Sequence, residues 1–280
     1  RTEYTIVRMS EDEYYLVSAG AWTAYDADFL RKSVADKEVE FGRIEVQNVT
    51  TQWGVFAIAG PKSRDVLNAV INDADPATAL SNKRFPWLSA KQIELGMCPV
   101  NAIRVAYTGE LGWELHHPIE MQNYLFDLLE KAGEPHGMKL VGARAQNWLR
   151  QEKSYRAFGN ELGRDATPLE ADLPRFVDLS KDFNGKAAME AKGIRSKCVT
   201  ILIDGPADAD PWGREALYAM DGTRVGRLTS GGYSVAFEKS IGMGYVKPEQ
   251  AEVGTKLQVK MLDQLWNAEV VEDSPYDPKN

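Results

Sequence analysis

The sequence predicts an α+β domain followed by a small all-β unit, and three observations carry that prediction. Over roughly the first 195 residues, β-rich runs alternate with segments whose apolar residues recur at helical spacing. Beyond that point the chain breaks into short strand-like runs with frequent turns, over about 80 residues, the texture of a small β-barrel or sandwich. The composition is that of an ordinary globular chain: 280 residues, 44% apolar and 26% charged. That is ample material for a core, and a length that allows one large domain or two smaller ones.

In order along the chain, Tyr4 to Met9 and Tyr14 to Val17 are β-rich runs separated by the acidic turn Ser10 to Glu13. Thr23 offers an N-cap with Asp26 three residues on, a weak analogue of the capping box, ahead of a helix whose stripe is Phe29, Leu30 and Val34. A strand pair is expected over Gly42 to Val49 and Trp53 to Ala59. Gly60-Pro61 then signals a helix start, and Val66, Leu67, Val70 and Ile71 repeat at helical spacing. Strands follow from about Asn101 to Tyr107 and from Trp113 to His116. Helices are predicted over Met121 to Lys131, with Gly133 just past the end, and over Ala143 to Tyr155.

The domain boundary falls in the basic stretch Lys192 to Lys197, dividing residues 1–196 from a small barrel or sandwich over 197–280. The later strands are Cys198 to Ile203, Glu215 to Met220, Arg224 to Leu228, Ile241 to Val246, Lys256 to Met261 and Trp266 to Val271. Asp221-Gly222 predicts a type I′ hairpin, whose two central residues both need positive φ. Arg227 to Tyr233 reads as a polar, glycine-bearing turn, and Ser274 to Asn280 as a loose polar tail.

Several function classes drop out. Lys plus Arg number 33 against 41 Asp plus Glu, a net charge of -8. Nothing therefore concentrates positive potential for a nucleic-acid backbone. No apolar stretch approaches a membrane span and no signal peptide is visible. Cys98 and Cys198 fit a reducing compartment, the cytoplasm or, in a eukaryote, the mitochondrial matrix. The chain lacks GxGxxG, P-loop, GxSxG and HExxH patterns, and its His116, His117 and His136 have no metal-ligand spacing. Adjacent on a strand, His116 and His117 point to opposite faces.

Carboxylates, tyrosines and glycine loops remain. In AYTGELGWELH, Tyr107 and Glu114 flank a loop with Gly109 and Gly112, where their side chains can face a ligand; an ordinary hairpin with a surface glutamate accounts for the same residues. Glu152 shares a helix face with Ala145 and Leu149, so it is either paired, with Arg156 at i+4 the nearest partner, or serves a ligand with N–H donors. Glu3 stands among Tyr4, Ile6 and Val7 on the first strand, as an edge-strand charge or a catalytic acid. A pterin's amino-pyrimidine, with paired N–H donors for a glutamate, suits such a set.

Five segments in register make the chain similar to the folate-binding, aminomethyltransferase-like family of the glycine cleavage T-protein. They are QWGVFAIAGPKSRDVL, AIRVAYTGELGWELHHP, NWLRQEKSYRAFGNEL, TPLEADLPRFVDLSKDFNGKAAM and VGRLTSGGYSVAFEKSIGMGYV. Within that family the resemblance is to the C-terminal half of dimethylglycine and sarcosine dehydrogenases. It implies a folate-binding fold ending in a small β-barrel, with the family's N-terminal part missing, so the chain is expected to be a piece of something longer. It also implies tetrahydrofolate as cofactor, held by Tyr107, Glu114, Glu152 and Phe158, the last in place of a usual Tyr or Trp. Glu3 falls at or beside the position that T-proteins fill with a catalytic aspartate, and Tyr107 packs at the reacting end.

The implied activity is one-carbon transfer: an N-methyl amine is oxidised to an iminium, and tetrahydrofolate captures the unit as 5,10-methylenetetrahydrofolate. FAD is expected only on an absent N-terminal domain or a partner oxidase subunit. A flavin-independent methyltransferase acting on O- or S-methyl donors, or a non-catalytic folate-binding module, are the alternatives.

Overall fold

The computed structural model describes residues 3–206 and 208–279, which form two compact units. The first contains residues 3–106 and 110–140; the second contains residues 107–109 and 141–279.

The first unit opens with the antiparallel hairpin β1 (Thr5–Arg8) and β2 (Tyr14–Val17), closed by the predicted acidic turn through Met9 N–H donating to the Glu13 carbonyl at 2.9 Å. Next come α1 (Thr23–Ala35) and the short α2 (Glu38–Phe41). Thr23 is the first helical residue, one place beyond the expected cap, and its hydroxyl turns back to the Gly20 carbonyl at 2.7 Å. Asp26 makes no capping bond; it is buried and accepts the Ser18 hydroxyl at 2.7 Å. Of the predicted stripe, Phe29 stays exposed.

The core of this unit is an antiparallel sheet ordered β3 (Trp53–Ala59), β6 (Gly112–Pro118), β5 (Cys98–Ile103), β4 (Ala90–Leu95). The expected strand over Gly42 to Val49 does not form. β3 pairs with β6 instead, placing Phe56 opposite Leu115 and Ile58 opposite Trp113. Two short helices, α3 (Ser63–Asn68) and α4 (Pro76–Ala79), separate β3 from β4. α3 starts two residues after Pro61, and Ile71, which continues its apolar pattern, lies beyond the helix and bridges Leu95.

After β6, α5 (Gln122–Gly133) lays Leu125 and Leu129 into the core that Val66, Leu67, Leu115 and Trp113 share. Trp113 is fully buried, edge-on to Phe85, with the Arg64 and Arg104 guanidinium groups 5.9 and 5.7 Å from its ring. Alternation along β6 sends His117 to one side, stacked on Phe56 at 4.8 Å, and His116 to the other, edge-on to Tyr15 at 5.4 Å.

The second unit joins α6 (Ala143–Glu152) and α7 (Lys186–Lys192) to a closed barrel of β7 (Lys197–Ile203), β8 (Ala216–Ala219), β9 (Arg224–Ser234), β10 (Lys239–Val246), β11 (Lys256–Met261) and β12 (Gln264–Val271). The order around the barrel is β10-β7-β12-β11-β8-β9, so no edge is left open. Its interior is apolar, with Ile201, Leu217, Leu228, Leu257 and Val259 fully buried.

Two turn predictions are corrected here. At Asp221-Gly222 only Gly222 has positive φ, +84°; the Asp221 carboxylate accepts the Thr223 amide, and the register slips between Leu217 and Tyr218, so the hairpin is bulged. Arg227 to Tyr233 lies wholly inside β9. Its glycines serve packing, since a Cβ on Gly232 would run into the indole of Trp148 on α6. Gly232→Ala should cost about 1–3 kcal/mol in urea unfolding, the range for overpacking a filled site; an unchanged midpoint would show that the indole moves aside freely.

No helix among the described residues is long and apolar enough to cross a membrane.

Candidate active site

The final turn of α6 is polar in sequence yet buried: Arg150, Gln151, Glu152, Lys153 and Ser154 are all at most 5% exposed. The helix ends at Glu152, three residues short of the expected Tyr155, because Ser154 takes φ +54°. A left-handed conformation costs a non-glycine residue about 1–2 kcal/mol and persists only where its surroundings hold it.

Glu152 carries the clearest chemical signature. Its carboxylate accepts the Ser234 hydroxyl and, at 3.4 Å, the Ala236 amide, and it forms no salt bridge among the described residues. Arg156, the partner offered by the i+4 spacing, pairs with Asp273 at 2.7 Å instead. A buried carboxylate served only by neutral donors is suited to a ligand that brings N–H groups. Beside it, the side-chain carbonyl of Gln151 is buried without a hydrogen-bond partner among the described residues.

Tyr107 belongs to the same unit, in the turn after β5, with its ring 6.3 Å from that of Tyr155. Gly109 has φ +75°, and a Cβ there would collide with the aliphatic stem of Lys153, so the glycine lets the signature loop lie against the end of α6. Phe158 is half-buried in the turn after α6, where it bridges Leu162.

Glu114 and Glu3 belong to the other unit. Glu114 sits within β6, inside the strand instead of at its end, and meets His116 at 3.2 Å; the opposite ring nitrogen of His116 meets the Tyr15 hydroxyl at 3.1 Å. Burial and the Glu114 carboxylate together raise the Tyr15 hydroxyl above its ordinary range. Glu3 precedes β1 instead of lying on it, and desolvation holds its carboxyl above the usual carboxylate range.

Sequence reasoning missed three features. His116 and Tyr15 were not connected to Glu114, because β2 and β6 are distant in the chain. The pair Arg150 and Glu161, both fully buried and 2.8 Å apart, lies inside a quoted motif, where several other charged residues gave no signal to single the two out. The third is the C-terminal segment, which is tied down rather than loose: Ser274 N–H donates to Ser154 Oγ at 2.9 Å and Tyr276 N–H to the Glu152 carbonyl at 3.2 Å. Both cysteines are buried and free, and burial pushes the Cys198 thiol up to about 12, which removes it as a nucleophile.

The fold is that of an aminomethyltransferase T: the structure of the glycine cleavage system protein of that name from Bartonella henselae superposes with a TM-score of 0.80 at 22% identity, over 99% of this chain and 72% of that one. The profile of the GCVT N-terminal domain matches residues 1–181, and that of the glycine cleavage T-protein C-terminal barrel domain matches residues 197–277. The chain belongs to the glycine cleavage T-protein family of aminomethyltransferase-like enzymes.

Among its relatives, mitochondrial dimethylglycine dehydrogenase of Homo sapiens is 35% identical over 97% of this chain and 31% of its own length. Mitochondrial sarcosine dehydrogenase of Mus musculus is 31% identical over 96% of this chain and 29% of its length. An aminomethyltransferase of Natranaerobius thermophilus is 29% identical over 98% of this chain and 72% of its length. The chain thus spans about a third of the dehydrogenases it matches.

Proposed function

We propose that this chain is the one-carbon transfer part of a dimethylglycine- or sarcosine-type dehydrogenase, moving an oxidised N-methyl carbon onto tetrahydrofolate. The observation that carries the folate assignment is the buried Glu152 carboxylate, met among the described residues by hydroxyl and amide donors and by no cation. The paired N–H groups of a pterin are the complement of such a carboxylate, and two parallel charge-assisted hydrogen bonds fix orientation as well as affinity. The identity to dimethylglycine dehydrogenase across 97% of the chain supports the amine class.

In this reading Glu152 orients the pterin, the Tyr107 ring packs at the reacting end, and Phe158 stacks. Glu114 is assigned to the folate by its place in the family signature. Glu3 takes the proton released as the folate amine forms its new bond to carbon; a carboxyl held above its usual range is the better proton acceptor near neutrality, and its charge favours a cationic iminium nearby. A flavin outside this chain, on a further domain or a partner subunit, supplies the oxidation of the amine.

A second reading, folate-dependent transfer without flavin, is favoured by the match to an aminomethyltransferase over 98% of this chain. Two readouts separate them: an O- or S-demethylase makes 5-methyltetrahydrofolate where the dehydrogenase reading requires 5,10-methylenetetrahydrofolate by mass spectrometry, and an aminomethyl donor, which gives the latter product too, is told apart by turnover in the absence of any flavin. Titration calorimetry tests the site itself. Glu152→Ala should weaken tetrahydrofolate binding at least tenfold, about 1.4 kcal/mol, and unchanged affinity removes Glu152 from the site.

A further inference from the structure

The turn that carries Glu152 is fastened from outside the helix. Of the residues from Glu152 to Arg156, all but Tyr155 bond to a short stretch near the C-terminus. Tyr276 N–H donates to the Glu152 carbonyl at 3.2 Å, satisfying an acceptor that the helix end leaves orphaned. Lys153, with its side chain only 3% exposed, donates to the Asp277 carbonyl at 2.7 Å. Ser274 N–H donates to the Ser154 hydroxyl at 2.9 Å, and Arg156 grips both oxygens of Asp273 at 2.7 and 3.2 Å. Arg156 also donates to the Ser154 carbonyl at 2.7 Å, so the ion pair and the hydroxyl bond act on the same left-handed residue.

A tail tied down for stability alone has no reason to choose this turn. Here it supplies partners to a contiguous run holding the carboxylate assigned to the ligand, the lysine under the Gly109 loop, and the approach to Tyr155, whose ring faces Tyr107. Ser154 is the hinge of the arrangement. Its strained backbone sets the direction in which the chain leaves Glu152, and its hydroxyl reads the strap on one side and Thr200 of β7, at 2.6 Å, on the other.

We infer that the segment Asp273 to Asp277 is a positioning strap of the folate site, holding Glu152 in its binding geometry and the Tyr155 ring beside Tyr107 through Ser154. The inference rests on the folate reading above. It makes ligand and strap mutually stabilising: whatever orders the Glu152 turn orders the strap, and the coupling is reciprocal.

Two measurements on the purified full chain test it. In amide hydrogen exchange, saturating tetrahydrofolate should slow the Ser274 and Tyr276 amides at least tenfold, although neither is assigned a contact with the ligand. In calorimetry, a chain ending at Glu272 should bind tetrahydrofolate at least tenfold more weakly, Asp273→Asn should show part of that loss, and Asp273→Glu should recover it. Strap amides whose exchange ignores bound folate overturn the inference, and so does a folded truncated chain with parental affinity. Should truncation prevent folding, the exchange experiment on the intact chain decides alone. Absence of any tetrahydrofolate binding by the full chain removes the folate reading and the strap's role together, an outcome distinct from intact binding that the strap does not influence.

Discussion

Glu161→Ala should destabilise the barrel-bearing unit by about 3–5 kcal/mol, the cost of stranding one member of a buried ion pair. Both the Arg150 and Glu161 side chains are completely buried and 2.8 Å apart. Every remaining valence of the pair is committed. Glu161 accepts Thr229 and Ser230 hydroxyls at 2.7 and 2.6 Å and the Ala157 amide at 2.9 Å. Arg150 donates to the Tyr155 carbonyl at 2.8 Å and to Asn147 at 3.0 Å.

Removing the carboxylate leaves a guanidinium in the protein interior with no counter-charge and withdraws the acceptor from three donors, of which, among the described residues, only Thr229 keeps another, the Met243 carbonyl at 3.1 Å. Two of those donors lie on β9, so the loss also loosens the seam between α6 and the barrel. Urea unfolding followed by tryptophan fluorescence measures the effect. Glu161→Gln, which keeps the shape and part of the acceptor capacity, should lose less. The double variant Arg150→Met/Glu161→Gln should lose less than the sum of the two single variants, because the uncompensated charge has gone with the arginine. Additive losses would show that the two groups do not act as a pair.

Lowering the pH should unlatch Glu170. Its carboxylate is fully buried, and burial alone would raise its pKa, yet the Thr167 amide and the Arg195 side chain and amide outweigh that and hold it at about 2, against an ordinary 4.5. Thr167 and Glu170 form a reciprocal capping box, with Glu170 accepting the Thr167 amide at 2.9 Å and its own amide donating to the Thr167 hydroxyl at 3.1 Å. The Glu170 carbonyl receives the Cys198 amide at the start of β7 at 2.8 Å.

Because the folded-state pKa lies below the unfolded one, the unfolded chain binds the proton first on acidification. The stabilisation is complete above pH 4.5 and is lost as the pH falls through about 2. The gap between those values corresponds to about 3 kcal/mol. The stability difference between the parent chain and Glu170→Gln should therefore shrink steadily between pH 5 and pH 2. A difference that stays constant across that range would mean the carboxylate's charge contributes nothing.

Local patterns were legible wherever a residue's partners lie close in the chain. The strand at Tyr14 to Val17, the strand at Lys256 to Met261 and the start of α6 at Ala143 were all readable from alternation or helical spacing. Expectations failed where a distant residue overrode the local signal. Arg227 to Tyr233 has the composition of a turn, but β10 on one side and the Trp148 indole on the other hold it extended. Thr23 and Asp26 have the spacing of a cap, but the Ser18 hydroxyl claims the aspartate. Gly42 to Val49 has apolar residues at alternate places without a partner strand, since β3 finds β6 instead.

The candidate site divides in the same way. Tyr107, Glu114 and Glu152 could be named from motifs, because a signature is a property of consecutive residues. Their environments could not. Arg156 at i+4 from Glu152 predicted a helix-face salt bridge, and only the folded chain shows that arginine turned to Asp273, 117 positions later.

By itself, then, the sequence determined many of the strands and helices, among them β2, β11 and α6, the change of texture near residue 196, and membership of the glycine cleavage T-protein family. Tertiary structure alone decided the order of the strands around the barrel, that Glu161 is buried, and that the polar C-terminal segment is tied down. The reason is range. Propensity, periodicity and capping are set by neighbours within a few residues, whereas the bonds that bury Glu161 and hold Ser154 reach across 69 and 120 positions and exist only once the chain has closed on itself.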